Sequence, residues 1–333
     1  MRIENTFGID VEARVLFTYD SEKALHKVLS VIYEQYAGLP LLHIGCGSNL
    51  LFLCDYEGVV LKSQIKGTKI KAESKDEVLI EVGSGEICDE FIAQAIRNGW
   101  FGMENLSLIP GQIGAAAVQN IGAYGMEVCD VIDEVKGICL KDGSEHQWKR
   151  DECGYGYRQS IFKEGLWGKY AITHVTFRLS KHFVPKLQYS GLVKAVEQAG
   201  LSENTLTAEQ LRQIIINIRR TKLPDPAEQG NAGSFFKNPV VSQEKAEQLL
   251  KDYPNMPHYS VENGIKLAAG WLIEQAGWKG KSIGPAAVHD RQALVLVNKG
   301  GATGHDIQRL CEAIQKDILR KFGIKLEPEV NFI

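Results

Sequence analysis

The sequence predicts an α+β protein of two domains. At 333 residues the chain exceeds what one hydrophobic core usually fills. Its first half reads as many strands with two helices, an order that suits α+β better than a doubly wound parallel sheet. Past residue 180 the pattern shifts to longer helices, which places the domain boundary near 183.

Taken in order, Asn5–Arg14 leads into a strand pattern at Val15–Thr18. Asp20 is the expected cap of a helix with Leu25, Val28, Leu29 and Ile32 at helical spacing. Leu41–Ile44 reads as a buried strand running into Gly45-Cys46-Gly47-Ser48-Asn49, and Leu50–Leu53 is a second apolar run. Val59–Leu61 and Val78–Val82 are further strands, and Ile87–Asn98 is an amphipathic helix stopped by Asn98-Gly99. Val131–Leu140 and His146–Trp148 flank Lys141-Asp142-Gly143-Ser144 as a hairpin, and Ala171–Leu179 closes this half. Ser180–Gln188 reads as a connection. Beyond it, Thr207 and Gln210 form a capping box for a helix bearing Leu211, Ile214, Ile215 and Ile218, ended by Leu223-Pro224-Asp225-Pro226. Helical patterns follow at Ser242–Leu250 and Lys266–Gln275, a strand at Ala293–Asn298, and a last helix near Gly304–Phe322.

Composition narrows the function classes. The chain is 44% hydrophobic and 24% charged, ordinary for a soluble globular protein. A formal net charge of −3 gives no electrostatic case for nucleic acid or an anionic membrane. Seven cysteines without a CxxC pair suit reduced thiols in a cytoplasmic protein rather than a disulfide framework. The eight histidines form no metal-spaced cluster. The N-terminus, MRIENTFGIDVEAR, has no apolar core of the signal-peptide kind.

The most unusual stretch is Ser107–Gly125, SLIPGQIGAAAVQNIGAYG. It holds Gly111, Gly114, Gly122 and Gly125 around three alanines, and no charged side chain lies between Glu104 and Glu127. Successive main-chain N–H groups of such a loop can cradle a pyrophosphate, while a buried glycine-rich turn explains the same letters. Gly45-Cys46-Gly47 and Gly83-Ser84-Gly85 each lack the third glycine of a dinucleotide fingerprint, since Leu50 and Cys88 stand in its place. The two glycine-rich turns Gly45–Asn49 and Pro110–Gly125, taken together, nevertheless suit one dinucleotide gripped from two sides, with Asn49, Gln119 and Asn120 as amides able to read a heterocycle. Gly280-Lys281-Ser282 lacks the earlier glycine of a P-loop, so Lys281 is read as a surface lysine.

Arg158, in Tyr157-Arg158-Gln159-Ser160, can meet a carboxylate bidentately or simply stack on a surface strand. Ser234 sits in a glycine-rich loop without the surroundings of a hydrolase nucleophile. Glu327 and Glu329 near the end are a carboxylate pair or a solvated acidic turn.

Taken together these segments resemble the MurB family of UDP-N-acetylenolpyruvoylglucosamine reductases. The resemblance rests on Asn5-Thr6-Phe7-Gly8, Gly45–Leu50, Ile109-Pro110-Gly111 through Gly125, Tyr157–Ser160, Gly233–Pro239 and Glu327–Val330, in the family's order and over nearly the whole chain. It implies an FAD-binding domain of the vanillyl-alcohol-oxidase (PCMH) type over residues 1–183, divided near 65. A smaller α+β substrate-binding domain over 184–333 follows, whose 323–333 tail returns to the active site. It implies non-covalent FAD, NADPH as electron donor, small-molecule substrates and a cytoplasmic monomer acting in peptidoglycan precursor synthesis.

By resemblance FAD is held by Gly45, Gly47, Ser48, Asn49, Ile109, Pro110, Gly111, Gly114, Asn120, Gly122, Ala123 and Tyr124. The nucleotide substrate is held by Tyr189, Lys222, Asn238, Tyr259 and Gln292, with Tyr189 on a loop that closes over the UDP group. Hydride addition to an enolpyruvyl ether leaves negative charge on the neighbouring carbon and carboxylate. The resemblance gives Arg158 and Glu329, the latter as a neutral acid with Glu327 near it in sequence, the task of stabilising that charge. It gives Ser234 the task of donating the proton.

The chain departs from the family at three places. Cys46 fills a variable loop position, facing away from the flavin. Ala115-Ala116-Ala117 replaces a glycine- or serine-rich run, and Asn331 stands where an arginine is frequent. Two other readings stand beside this one: a flavoprotein oxidase of the same FAD fold, and a nucleotide-binding module without catalysis. His43 precedes the first glycine loop, which speaks against a covalent flavin, and the intact set Arg158, Ser234 and Glu329 speaks against a non-catalytic module.

Overall fold

The computed structural model describes residues 1–333, the side chain of Ser190 excepted. Contacts divide the chain into two compact units. The first holds Met1, Ala13–Cys46 and Glu57–Arg219; the second holds Arg2–Glu12, Gly47–Tyr56 and Arg220–Ile333. This differs from a single cut near 183 in two ways. Residues 184–219 group with the first unit, because Leu192, Val196, Leu206, Leu211 and Ile215 form a core there with Tyr124 and Phe183 at its margin. Two early segments group with the second unit, through pairings that sequence distance hides.

In the first unit, the strands Ala13–Tyr19, Tyr56–Ser63 and Leu41–Ile44 form a three-stranded sheet in that order. The helix Glu22–Gln35 packs Leu25, Leu29 and Ile32 into a core with Val59, Leu61 and Ile138. Its cap is Ser21, whose hydroxyl accepts the Ala24 N–H at 3.2 Å, not Asp20 as expected. A five-stranded antiparallel sheet follows, ordered Glu145–Lys149, Ile132–Cys139, Tyr170–Ser180, Glu77–Gly83, Thr68–Glu73. The expected hairpin is its outer pair, with Trp148 opposite Val135. Thr68–Glu73 escaped the sequence reading because all six residues are exposed, so no apolar alternation marks this edge strand. The helix Cys88–Arg97 lies on this core through Phe91, which stacks on Phe177 with centroids 5.4 Å apart.

In the second unit, a four-stranded antiparallel sheet runs Asn231–Ser234, Val295–Asn298, Ala286–Val288, Ser282–Ile283. The helix Gly304–Phe322 packs on it. Thr303 caps this helix in a box with Asp306, and Ile307, Leu310, Ile314 and Ile318 are fully buried on one face. Each such side chain contributes roughly 1.5–3 kcal/mol. The expected helix Lys266–Gln275 is two elements. Gly264–Leu267 is the central strand of a three-stranded sheet with Val240–Val241 and His258–Val261, and the helix starts at Ala269. Ile265 and Leu267 alternate inward, a period too short to read against the helical run that follows.

Candidate active site

In the first unit three turns meet around Gln112. A Cβ on Gly45 would stand 3.1 Å from Gln112 Oε1 and 3.2 Å from the Ala115 Cβ. The Gln112 amide donates to the carbonyls of Gly85 at 3.1 Å and Ser63 at 3.3 Å. The Gly114 N–H donates to the Ser84 carbonyl at 3.0 Å, and a Cβ there would lie 2.8 Å from the Ser84 Cβ. Gly83-Ser84-Gly85, weak as a fingerprint, is thus built into the same corner as Gly45 and Gly114. Neither Ser84 nor Gln112 was singled out from sequence; the only signal was a third glycine turn following a strand. The stretch Ser107–Gly125 is not all loop. Ile113–Gln119 is a helix, made possible by its alanine run despite Gly114.

The helix ends at Asn120, left-handed at φ 48°, and a hairpin follows with Gly122–Ala123 paired to Met126–Glu127. Tyr124 and Gly125, both at positive φ, make its two-residue turn. Asn120 is fully buried and its amide is consumed by the protein. Nδ2 donates to Glu127 Oε2 at 2.9 Å and to the Gly156 carbonyl at 2.8 Å, and Oδ1 accepts the Cys129 N–H at 3.2 Å. Its side chain therefore builds the loop that receives Arg158 rather than reading a heterocycle.

Arg158 itself has φ 57°, so it lies in a turn and not in a surface strand. Its guanidinium donates to the carbonyls of Gly122 and, at 3.5 Å, Asn120; it lies 3.4 Å from Glu127 Oε1 and 5.2 Å from the Tyr157 ring. A Cβ on Gly122 would stand 2.6 Å from Arg158 Nη1, so only glycine allows this approach.

Leu108, just before Ile109-Pro110-Gly111, is a non-glycine residue at φ 60°. Its N–H donates to Asp89 Oδ1 at 2.6 Å and its carbonyl accepts Arg219 Nε at 3.3 Å. Arg212 grips Asp89 with both terminal nitrogens, at 2.5 and 3.0 Å. Burial alone would raise the Asp89 carboxyl, but Arg212, the Leu108 N–H and Arg219 outweigh it and hold it below the usual range. A lowered acid gives its stability in full above the unfolded carboxylate value of about 4 and loses it as pH falls through the folded value. Asp89→Asn should therefore cost about 2 kcal/mol at neutral pH. It should also flatten the acid limb of stability below about pH 4. Thermal melts across the acid range check this; a wild-type-like limb in the variant refutes it.

Tyr124 is pushed up by burial, partly offset by Arg219, and Tyr189 meets it edge-on with centroids 5.4 Å apart. His43 bonds Tyr19 through Nε2 at 2.5 Å, and burial lowers it to about 4.

In the second unit, Gly47 has φ 63° with Glu4 and Asn5 so close that no Cβ fits. The strand ending at Ser234 continues into Phe235 and Phe236, buried with Phe7 and Phe332 around them. The tail runs antiparallel to it. The Glu329 N–H donates to the Phe235 carbonyl at 2.8 Å and the Lys237 N–H to the Glu327 carbonyl at 2.9 Å. Ser234 is exposed, Glu329 half-buried and Glu327 exposed. Asn49 spends its amide on the Glu329 carbonyl at 3.1 Å. Asn238 Oδ1 accepts the Ala269 N–H at 3.0 Å, and Gln292 Oε1 the Leu294 N–H at 3.3 Å. Tyr259 is exposed on the strand His258–Val261, and Lys222 is exposed as the last residue of the helix Ala208–Lys222. The structure thus groups Asn49, Ser234 and Glu329 in this unit, and Arg158 with Asn120, Gly122 and Tyr124 in the other.

Two family models match. "FAD binding domain" covers residues 13–148, and "UDP-N-acetylenolpyruvoylglucosamine reductase, C-terminal domain" covers 225–333. The UDP-N-acetylenolpyruvoylglucosamine reductase of Bacteroides fragilis is 48% identical over 330 residues, 99% of this chain and 97% of its own length. The chain belongs to the MurB family. A MurB relative in Pseudomonas aeruginosa is 46% identical over 98% of this chain and 95% of its own. The crystal structure of MurB from Thermus caldophilus matches with a TM-score of 0.68 over 98% of this chain and 95% of that one. At 24% identity it shows the fold, an FAD-binding α+β architecture with a MurB C-terminal domain. Among the described residues no helix is long and apolar enough to cross a membrane.

The residues present fit FAD. The corner around Gln112 brings Gly45, Ser84 and Gly114 together in an uncharged, small-residue setting, and glycine there lets a ligand approach the backbone closely.

Proposed function

We propose that this chain reduces the enolpyruvyl ether of UDP-N-acetylglucosamine to the lactyl ether, UDP-N-acetylmuramate, a cytoplasmic step toward peptidoglycan. One observation carries the reading. The strand bearing Ser234 and the tail bearing Glu329 are hydrogen-bonded neighbours in a chain 48% identical, end to end, to a named reductase. The chemistry supplied by bound FAD is hydride relay from NADPH to the substrate. Gly45, Gly47, Ser48, Ile109, Pro110, Gly111, Gly114, Gly122, Ala123 and Tyr124 would hold it, and Asn49 and Asn120 would shape the loops.

Arg158 and Glu329 stabilise the negative charge that develops on the enolpyruvyl group, and the Ser234 hydroxyl gives its proton to the adjacent carbon. The Asn238 oxygen is already bonded to the Ala269 N–H, which leaves its NH₂ end as the donor for the diphosphate. Lys222 supplies a point charge to the same group. Tyr189, Tyr259 and Gln292 complete the nucleotide contacts, with Tyr189 closing on the UDP group. The enzyme acts as a monomer.

The first test is the absorption spectrum of the purified protein, followed by anaerobic NADPH and then the enolpyruvyl nucleotide. Flavin bands bleached by NADPH and restored by the nucleotide are the expected result. Bands that NADPH bleaches and the nucleotide fails to restore would point to another acceptor on the same fold. A colourless protein that takes up no FAD would overturn the reading.

A further inference from the structure

The peptide groups around Glu329 are held from two directions. Its N–H is bonded to Phe235, and its carbonyl accepts Asn49 Nδ2 at 3.1 Å. The Asn49 carbonyl in turn accepts two bonds from Asn331, one from its N–H at 3.1 Å and one from Nδ2 at 3.2 Å. Beyond this point Asn331 and Phe332 pair in parallel with Leu50 and Leu51, and the Ile333 N–H donates to the Leu51 carbonyl at 2.9 Å. Two side-chain amides therefore bracket Glu329. One fixes its own carbonyl, and the other fixes the residue that holds that carbonyl.

We propose that Asn49 and Asn331 are positioning residues that set the direction of the Glu329 carboxyl. The inference rests on Glu329 acting on the substrate. The parallel ladder at Leu50–Leu51 docks the tail whether or not the Asn331 side chain is present. The Glu329 carbonyl, in contrast, is gripped by the Asn49 side chain, and the Asn49 carbonyl is steadied by the second bond from Asn331 Nδ2. Catalytic groups must be held to roughly 0.5 Å and 10–20° of their productive geometry, so a loosened bracket costs rate before it costs docking. An amide serves here because it donates without charge. An aspartate at 331 would set a carboxylate against the Asn49 carbonyl.

The experiment uses full-length enzyme with FAD, as wild type, Asn331→Ala and Asn331→Asp. Stopped-flow absorbance reads flavin reduction by NADPH and reoxidation by the enolpyruvyl nucleotide separately. Hydrogen exchange reads the Glu329 and Val330 amides in the FAD-free protein. Both variants should keep their FAD content and their rate of reduction by NADPH. Reoxidation should slow by about 10- to 100-fold, the usual cost of a misplacement near 1 Å. The Glu329 amide should exchange faster. Unchanged reoxidation in both variants, or both half-reactions slowing together, would overturn the proposal. So would loss of FAD or unchanged exchange at Glu329. A wild type that the nucleotide cannot reoxidise would instead sink the functional reading, and faster exchange in the variants would still report the bracket.

Discussion

Ser234→Ala should slow reoxidation of the reduced enzyme by the enolpyruvyl nucleotide by about 10²- to 10⁴-fold, the usual worth of a positioned proton donor. Nucleotide affinity and flavin reduction by NADPH should stay near wild type. The expectation comes from where the hydroxyl sits. Ser234 ends its strand in an exposed position, while the next two residues, Phe235 and Phe236, are anchored in an aromatic cluster with Phe7 and Phe332. That base fixes the Ser234 backbone, and alanine keeps the Cβ, so the change removes the proton and little else. Ser234 also makes no demand on the fold that alanine fails to meet, since its strand pairing with Val295 is through the backbone. Stopped-flow absorbance of the flavin, with each half-reaction started separately, gives the rates. Reoxidation at the wild-type rate would remove Ser234 from the mechanism.

The largest effect on stability is expected at Gly230. Its φ is not positive, so the requirement is space rather than conformation. A Cβ there would be driven onto the Phe7 carbonyl. That carbonyl has no room to retreat, because it accepts Asn298 Nδ2 at 3.0 Å, while the Thr6 carbonyl accepts the Asn231 N–H at 2.8 Å. The Asn298 N–H, in turn, donates to the Gly230 carbonyl at 2.8 Å, which locks the remaining side. Gly230→Ala should cost more than about 4 kcal/mol, the range reserved for overpacked or broken core networks. The melting temperature should drop by roughly 10 °C or more. Gly165→Ala is the control, since nothing lies within 4 Å of a Cβ there and its φ is not positive. Circular-dichroism melts compare the two; a Gly230→Ala melt within a degree or two of wild type would show that the contact relaxes freely.

Much of this was legible in the sequence, for identifiable reasons. Leu41–Ile44, the Cys88–Arg97 helix and the hairpin around Asp142 announce themselves through local periodicity and turn chemistry, which need no tertiary context. The helix Ile113–Gln119 did not, because Gly111 and Gly114 read as loop letters while three alanines favour helix. Asn120 looked like a ligand-facing amide and is instead consumed inside the protein; only the fold reveals that Glu127, Cys129 and Gly156 surround it. The Asp89–Arg212 grip on Leu108 was equally hidden, since 123 residues separate its two charges. The roles of Arg158, Ser234 and Glu329 came from family resemblance, and spacing alone would have stopped at a nucleotide pocket.

The sharing of the N-terminus with the second unit has a consequence for how the protein is made. Arg2–Glu12 carries Ile3, Phe7, Ile9 and Val11, all buried in the finished molecule, and it leaves the ribosome long before the residues it pairs with. Its partners Gly230, Asn231 and Asn298 are synthesised far later. At about 5–20 residues per second, the apolar segment waits roughly 15–60 s for the residues that cover it. Nascent chains stalled before residue 298 should therefore display this segment to chaperones, and released, folded chains should not.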